Sequence, residues 1–388
     1  MDLELEGRDG VVTLGSRGVS RLALLAVLAT AFPACAPQAP VSSPQAVATQ
    51  RVFPGEHWDS IADLRSAGWS PAGLDSVRDS LATLASTGFV AVVGGRTLMR
   101  YGNLDTVTYL ASVRKSVLSL LMGNYVRRGT IDLGKSLAQL GMDDLGGLSD
   151  LEKQATVRDL LTARSGIYHP ASNSGDDTDQ APPRGSQPHG TYYLYNNWDF
   201  NALGGAFELM TGRDIYDVLE SDLARPIGMQ DFERARHRKS GDSTRSRYLA
   251  YHMHFSTRDM ARIGYLMLRR GQWNGRQLVP ADWVEESTRA FTPVEAMNPP
   301  ARRRGPFGYG YLWWVWDGPH AEGVYRGAYA AHGAIGQHIV VIPALDLVVA
   351  HKTAPGQRDE AGRARTVSHP RFVRLLDQLV RAHCGSRC

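Results

Sequence analysis

The sequence predicts an α+β fold, with one antiparallel sheet built from segments at both ends of the chain, flanking helices, and a mainly helical subdomain at roughly 130–270. Short apolar and β-branched runs separated by turn residues occur near both ends, whereas helical spacing dominates between them. This order indicates one sheet assembled from distant segments. The predicted strands are residues 88–93, 97–101, 310–316, 324–330, 337–342 and 347–352.

Helical patterns lie before, between and after the predicted strands. Apolar residues recur at helical spacing from Leu74 to Leu84 and predict a first helix over residues 71–87. Gly94-Gly95 predicts the turn of a hairpin between the first two strands. The further expected helices run from Ser112 to near Gly129 and over residues 198–209, 256–271 and 371–382, with a long polar loop at 169–190.

The start of the chain has the pattern of an export signal. Arg17 and Arg21 precede an apolar stretch at residues 22–32. That stretch is shorter than the ~20 apolar residues that a membrane-spanning helix needs. Residues 1–35 are therefore predicted to direct export, to the periplasm or to the membrane of a bacterium.

Cys35 and the residues after it suggest how the protein is held after export. Phe-Pro-Ala followed by Cys35 resembles the lipidation site of bacterial lipoproteins, and residues 36–51 have the composition of a flexible tether. The alternative is cleavage and release. The only membrane contact expected is through a lipid on Cys35, and the folded domain is predicted to span residues 52–388.

Composition and cysteine usage exclude several classes of protein. The 388 residues are 43% hydrophobic and carry a net charge of +4 with scattered basic residues, so no nucleic-acid partner is expected. Three cysteines do not make a disulfide framework, and Cys384 and Cys388 either pair or have no role. His252 and His254 lack a third ligand at zinc-type spacing, so neither a metal nor a cofactor is predicted.

Ser112 and Lys115 are the first candidates for catalytic residues. Residues three apart on a helix lie on one face with Cβ atoms about 5–6 Å apart, so Lys115 can reach the Ser112 hydroxyl. Burial lowers the pKa of a lysine, which makes its amine a usable base. The 43 lysines and arginines include only five lysines, and only Lys115 follows a serine by three residues. The alternative is an ordinary surface pair.

Tyr195 and Asn197 follow the long polar loop and precede a helical run. A tyrosine beside a cationic lysine can share or lose its proton far below its free pKa of about 10, so Tyr195 is a candidate proton carrier. Asn197 is a candidate for holding a substrate carbonyl. The alternative is an aromatic cluster that packs the subdomain.

His332, Gly333 and Ala334 interrupt an apolar strand with small residues, which lets a ligand approach the backbone closely. We expect these three residues to bind substrate, and His332 either to orient the substrate or to tune Lys115. A backbone N–H in this segment is expected to join that of Ser112 in holding an oxyanion. The alternative is a glycine-rich strand bend with a structural histidine.

Together these segments resemble the serine β-lactamase and penicillin-binding protein superfamily. The order Ser-x-x-Lys, Tyr-x-Asn and a C-terminal His-Gly strand is most similar to the class C branch, with its related esterases, D-aminopeptidases and 6-aminohexanoate-dimer hydrolases. The resemblance covers roughly residues 88–355. Three more segments resemble family landmarks, at residues 160–166, 224–229 and 256–261.

The resemblance implies a β-lactamase/DD-peptidase-like fold and a role for each residue. Ser112 is the implied nucleophile, and Lys115 and Tyr195 together act as its base. The N–H groups of Ser112 and Ile335 are the implied oxyanion hole. His332 stands where class C enzymes have the lysine of Lys-Thr-Gly, which removes a cation suited to a β-lactam carboxylate and argues against a dedicated β-lactamase.

The sequence therefore predicts an exported serine hydrolase that forms an acyl-enzyme with a small amide or ester. The alternatives are a penicillin-binding D,D-peptidase-like or weak β-lactamase activity, and a non-catalytic envelope binding protein that kept the cleft. Asp176, Asp177 and Asp179 lie in the long loop and either favour an amine-bearing substrate or form a solvated loop tip.

Overall fold

A computed structural model describes residues 52–388, so the predicted signal, the tether and Cys35 lie outside the described residues. The helices are α1 (Pro71–Thr83), α2 (Val113–Arg127), α3 (Val157–Leu161), α4 (Asn197–Thr211), α5 (Ile215–Val218), α6 (Thr257–Leu268), α7 (Ala281–Ser287) and α8 (His369–Arg381). The strands are β1 (Gly88–Val93), β2 (Arg96–Gly102), β3 (Thr108–Tyr109), β4 (Arg238–Ser240), β5 (Ala250–His252), β6 (His254–Phe255), β7 (Gln272–Trp273), β8 (Arg276–Gln277), β9 (Phe307–Tyr309), β10 (Trp314–Trp316), β11 (Tyr329–Gly333), β12 (Gln337–Ile342) and β13 (Leu347–Lys352).

A seven-stranded antiparallel sheet forms the centre of the domain, in the order β2-β1-β13-β12-β11-β10-β9. β1 pairs with β13, with Gly88 opposite Lys352 and Val93 opposite Leu347. The hairpin near the start of the chain thus extends a sheet made from strands near its end. The predicted α+β fold, with its sheet assembled from distant segments, is confirmed.

Helices cover both faces of this sheet. On one face, α1 and α8 share an apolar cluster with strand residues that include Phe89, Val340 and Val349. On the other face, α2 and α6 share a cluster with strand residues that include Val341 and Val348. Because successive side chains of a strand point to opposite faces, the central strands contribute apolar residues to both clusters.

Helix α6 contacts β1, β12 and β13. It therefore packs on the sheet, although the sequence analysis had included it in a helical subdomain reaching to about residue 270. Gly264 permits the close approach, because a Cβ there would lie 2.5 Å from Val348 Cγ1 and 2.9 Å from Ile339 Cγ2. The helical region beside α2 is formed instead by α3, α4 and α5, of which α4 contacts α2 directly.

Three predicted elements have different bounds in the structure. α1 ends at Thr83 because Leu84 is extended. Of the strand predicted at 310–316, only residues 314–316 form a strand, β10, because the residues before it form the turn that follows β9, in which Leu312 has a φ of 63°. The strand predicted at 324–330 begins instead as a short 3₁₀ turn, because short apolar runs beside glycine do not distinguish a strand from a turn.

The last segment of the chain returns to the start of the domain. Cys384 and Cys388 form a disulfide, and the N–H of Cys384 donates a hydrogen bond to the carbonyl of Gly68. Within residues 52–388, every helix is too short or too polar to cross a bilayer.

Gly264→Ala is expected to destabilise the protein. The new methyl group would overlap Val348, and overpacking costs about 1–3 kcal/mol, against the ~1 kcal/mol that alanine gains over glycine in a helix. Urea denaturation should show a net loss of up to about 2 kcal/mol in the free energy of unfolding. Gly55→Ala is the control, since nothing lies within 4 Å of a Cβ at that position. Equal changes in both variants would contradict the packing explanation.

Candidate active site

Ser112 lies immediately before α2, and Lys115 lies in the first turn of that helix. The Lys115 N–H donates to the Ser112 carbonyl at 3.0 Å, and the Lys115 Nζ atom lies 3.1 Å from Ser112 Oγ. The Ser116 hydroxyl donates to the carbonyl of Leu312 at 2.6 Å, which ties this turn to the segment between β9 and β10. The structure therefore places the amine within hydrogen-bond distance of the serine hydroxyl.

The Lys115 amine is enclosed by polar and aromatic groups and is only 1% exposed. Its Nζ atom lies 2.7 Å from Tyr195 Oη and 2.7 Å from Asn197 Oδ1. The ring faces of Tyr195 and Phe200 are 4.2 and 4.3 Å away. Four side chains from two separate parts of the sequence, Ser112 and the three at 195–200, thus meet at one nitrogen atom.

Burial decides the protonation of this group. It holds the pKa of Lys115 well below its ordinary value, and the neighbouring Arg114 guanidinium lowers that pKa further. Burial also raises the pKa of Tyr195 to about 12. We expected Tyr195 to share or lose its proton. Burial disfavours the phenolate and so disfavours the loss, whereas the hydrogen bond to Lys115 permits sharing. Both shifts favour a neutral amine beside a protonated phenol.

Arg114 lies beside Lys115 in the site, and the sequence analysis does not name it. Its side chain is buried, with the guanidinium 4.3 Å above the centroid of the Tyr251 ring and Nη2 donating to Asn201 Oδ1 at 3.1 Å. A guanidinium stays charged at all relevant pH values, so it opposes protonation of the adjacent lysine. The signal was present in the sequence, as an arginine inside the same apolar helix.

Asn197 forms hydrogen bonds with other groups of the protein, and its predicted role with a substrate carbonyl stays a prediction. Its Oδ1 accepts from Lys115, and its Nδ2 donates to the Ser174 carbonyl at 3.0 Å. Its backbone N–H donates to Asp176 Oδ2 at 2.8 Å. Both ends of the amide are engaged inside the protein, so these contacts orient Lys115 and give no support to binding of a substrate carbonyl.

The polar loop at 169–190 is attached to the cleft and is not a free loop tip. Asp177 forms an ion pair with Arg302, whose guanidinium lies 5.4 Å from the Tyr195 ring centroid and 5.2 Å from that of Trp314. Asp176 is bound to the backbone of Asn197. No pattern in the sequence predicts the position of Arg302, which extends to the cleft from a proline-rich segment.

A cleft of about 630 Å³ opens beside this cluster. Ser112 and Tyr195 line it on one side, and Gly333, Ala334 and Ile335 line it on another. The remaining walls are largely apolar and include Met297, Pro299, Phe307 and Trp314. The predicted nucleophile and the predicted substrate-binding strand therefore face the same space.

The end of β11 approaches the loop before Ser112 closely. A Cβ on Gly333 would lie 2.6 Å from the carbonyl oxygen of Leu110, so only glycine fits there. Ala111 and Ile335 both have left-handed backbones, with φ of 49° and 65°. Such φ values are unusual for alanine and rarer still for a β-branched residue, and backbone strain of this kind concentrates at functional sites.

His332 also lines the cleft, but its ring nitrogen Nδ1 lies 2.9 Å from Nδ1 of His338. Its other ring neighbours are Phe307, Trp314 and His369. These contacts do not bring His332 to Lys115, and its predicted role with substrate stays a prediction.

The central sheet, the helical region and the cleft define a β-lactamase/DD-peptidase-like fold. The Beta-lactamase family model matches residues 77–367, so the chain belongs to that family of the serine acyl-transfer hydrolases. The predicted superfamily is confirmed.

Known proteins similar to this chain share little sequence with it. An uncharacterised protein of Alkalihalophilus pseudofirmus is 23% identical over 270 residues, which cover 63% of this chain and 72% of that protein. An unguisins hydrolase of Aspergillus campestris is 25% identical over 213 residues, covering 50% of this chain but only 34% of that protein. A Bacillus anthracis structure described as a candidate 6-aminohexanoate-dimer hydrolase is 17% identical, with a TM-score of 0.60 and coverage of 84% and 87%. This last likeness shows the fold.

The chain has only five lysines, so each side-chain amine can be followed by NMR with ¹³C-labelled lysine. Two of them should titrate below the ordinary lysine range: Lys115, and Lys352, whose pKa burial lowers to about 7. Arg114→Met should raise the pKa of Lys115, because it removes a neighbouring positive charge. Lys352 serves as the internal control and should not move. A Lys115 signal that titrates near the ordinary lysine pKa of 10.5 would contradict the claim that burial lowers the pKa of Lys115.

Proposed function

We propose that the protein is an exported serine hydrolase that cleaves a small amide or ester through an acyl-enzyme on Ser112. The observation that carries the proposal is a single buried amine, Lys115 Nζ, within 3.1 Å of Ser112 Oγ and 2.7 Å of Tyr195 Oη, behind two side chains that line a cleft. A serine hydroxyl becomes an effective nucleophile when an adjacent base accepts its proton.

In the proposed first step, Ser112 Oγ attacks the carbonyl carbon of the substrate while its proton moves to Lys115 Nζ. The Tyr195 hydroxyl then donates its proton to the leaving nitrogen or oxygen, and the Lys115 ammonium returns a proton to Tyr195 Oη. The leaving group departs with a proton, Ser112 becomes an ester, and both partners regain their starting states. Proton transfer of this kind contributes roughly 10²–10⁴-fold to a rate.

The second step reverses the roles of serine and water. Lys115 accepts a proton from water as the oxygen of that water adds to the acyl carbon. The tetrahedral intermediate collapses, the acid is released, and Ser112 Oγ regains its proton through Lys115. No other proton acceptor is needed for the cycle to close.

The oxyanion of each intermediate is assigned to the N–H groups of Ser112 and Ile335. Ala111, directly before the first N–H, and Ile335, which carries the second, have the left-handed backbones described above. Fixed donors aimed at the developing charge stabilise it without reorganisation. The close approach of Gly333 to Leu110 supports this assignment, because it holds the two segments together.

The substrate is proposed to carry an apolar group beside the scissile bond, because Met297, Phe307 and Trp314 line the cleft. Pairing of Asp177 with Arg302 leaves that carboxylate poorly placed to select an amine. A 6-aminohexanoate dimer is an amide, and the name of the Bacillus anthracis relative supports amides as the first class to test. Esters are the second class, since the same steps cleave them.

Export is part of the proposal and rests on the sequence alone. Residues 1–35 would direct secretion, and Cys35 would carry the lipid that anchors the enzyme in the cell envelope.

A fluorophosphonate probe should label Ser112, because such probes form a covalent bond with serines activated by an adjacent base. Peptide mass spectrometry of the labelled protein is expected to locate the adduct on the peptide containing Ser112. The Ser112→Ala variant should lose the label. Ser119→Ala is the control on α2, because the buried Ser119 hydroxyl has no hydrogen-bond partner within the described residues, and this variant should keep the label. Labelling that persists in Ser112→Ala would remove Ser112 from the mechanism.

Lys115→Ala and Tyr195→Phe should each lower kcat by at least ~10² on an alkyl amide, since Lys115 takes up the Ser112 proton and Tyr195 protonates the leaving nitrogen. Tyr195→Phe keeps the ring that packs on Phe200 and Trp314, so its loss of activity isolates the hydroxyl. Near-wild-type kcat in either variant would exclude that side chain as a proton carrier. Unchanged circular dichroism spectra establish that both variants are folded.

A further inference from the structure

Three histidines from separate elements meet at the wall of the cleft. His332 is on β11, His338 on β12 and His369 is the first residue of α8. One ring nitrogen from each lies within 4.8 Å of those of the other two. The prediction of no metal rests on His252 and His254, which lack a third ligand at zinc-type spacing, and it did not consider these three residues.

The ring nitrogens of this cluster are poorly satisfied by the protein. In the part of the chain that the structure describes, the Nε2 atoms of all three histidines are buried without a hydrogen-bond partner. His338 is 1% exposed and His332 is 9% exposed. Buried polar atoms nearly always have partners, and leaving one unpaired costs about 1–3 kcal/mol. Each of the three clustered histidines therefore retains a ring nitrogen that can bind a ligand.

The surroundings of the three histidines favour metal binding over protonation of the imidazole rings. Phe307 contacts the rings of His332 and His369 at 5.0 Å, and Phe372 stacks on His338 at 3.9 Å. Burial in this aromatic shell holds the pKa of each histidine below its ordinary value. The neutral imidazole is the form that binds metal ions.

We propose that His332, His338 and His369 bind one divalent transition-metal ion of the Zn²⁺ class. Zn²⁺ binds imidazole at about 2.0–2.1 Å in tetrahedral geometry, which requires ligand nitrogens roughly 3.3 Å apart. Small ring rotations would close the observed separations to that value. All three histidines line the cleft, so the fourth coordination position would be filled from the cleft by water or a small anion.

This proposal does not depend on the hydrolase mechanism. The three histidines lie on β11, β12 and α8, whereas the proton carriers lie on α2 and the segment before α4. Metal binding should therefore be the same in Ser112→Ala as in the wild type. A bound ion would add a fixed positive charge to the wall that Ser112 faces.

The test is a Co²⁺ titration of the whole chain, purified without a histidine tag and stripped with a chelator. Tetrahedral Co²⁺ is a spectroscopic substitute for Zn²⁺, and we expect visible d–d bands that saturate at one ion per chain. His369→Gln removes the most exposed ligand and should abolish the bands. His338→Gln should do the same, and Zn²⁺ should raise the Tm of the wild type but of neither variant.

His57→Gln is the matched control, because His57 is largely exposed and lies outside the cluster. It should bind Co²⁺ as the wild type does. Absence of tetrahedral bands in the wild type would overturn the proposal, as would undiminished binding in His369→Gln. If His338→Gln does not fold, His369→Gln and the wild-type stoichiometry decide the question.

Discussion

The site depends on keeping one lysine amine out of water. Lys115 is almost fully buried against Tyr195, Asn197 and Phe200, with the charge of Arg114 beside it. In the unfolded chain this lysine is a hydrated ammonium, and burial on folding lowers its pKa. Because the pKa of Lys115 is lower in the folded protein than in the unfolded chain, the free energy of unfolding rises with pH between the lowered pKa and the ordinary value of 10.5. Burial of Lys115 therefore lowers the stability of the protein near neutral pH while it favours an unprotonated amine beside Ser112. Active sites commonly lower stability in this way.

The rest of the fold holds distant segments at this nitrogen atom. Ser116 ties the start of α2 to the turn at Leu312. Asn196 caps α4 by accepting from the Trp198 N–H at 2.9 Å, which fixes the segment that carries Tyr195. The close contact between Gly333 and Leu110 brings the end of β11 to the same place. A sheet built from both ends of the chain is what allows these segments to meet.

Much of the fold could be predicted from sequence, because strong periodicity and glycine turns are local signals. β1, β12 and β13 have their predicted bounds, whereas β11 starts later because residues beside Gly323 form a turn. The Ser-x-x-Lys spacing and the order of the motifs along the chain predict Ser112, Lys115 and Tyr195 as site residues. Loss of the Tyr195 proton was predicted from the positive charge of a protonated Lys115. Burial raises the pKa of Tyr195 instead, and a neutral Lys115 supplies no such charge. Arg302, His338 and His369 reach the cleft only through long-range packing, which leaves no pattern in the chain.

A neutron crystal structure of the wild-type protein at neutral pD tests the central claim most directly, because it locates the deuterium atoms on Lys115 and Tyr195. A neutral amine carries two deuterium atoms on Nζ, whereas an ammonium carries three. The account predicts two on Lys115 Nζ and one on Tyr195 Oη. Three on Nζ beside a bare phenolate oxygen would contradict it.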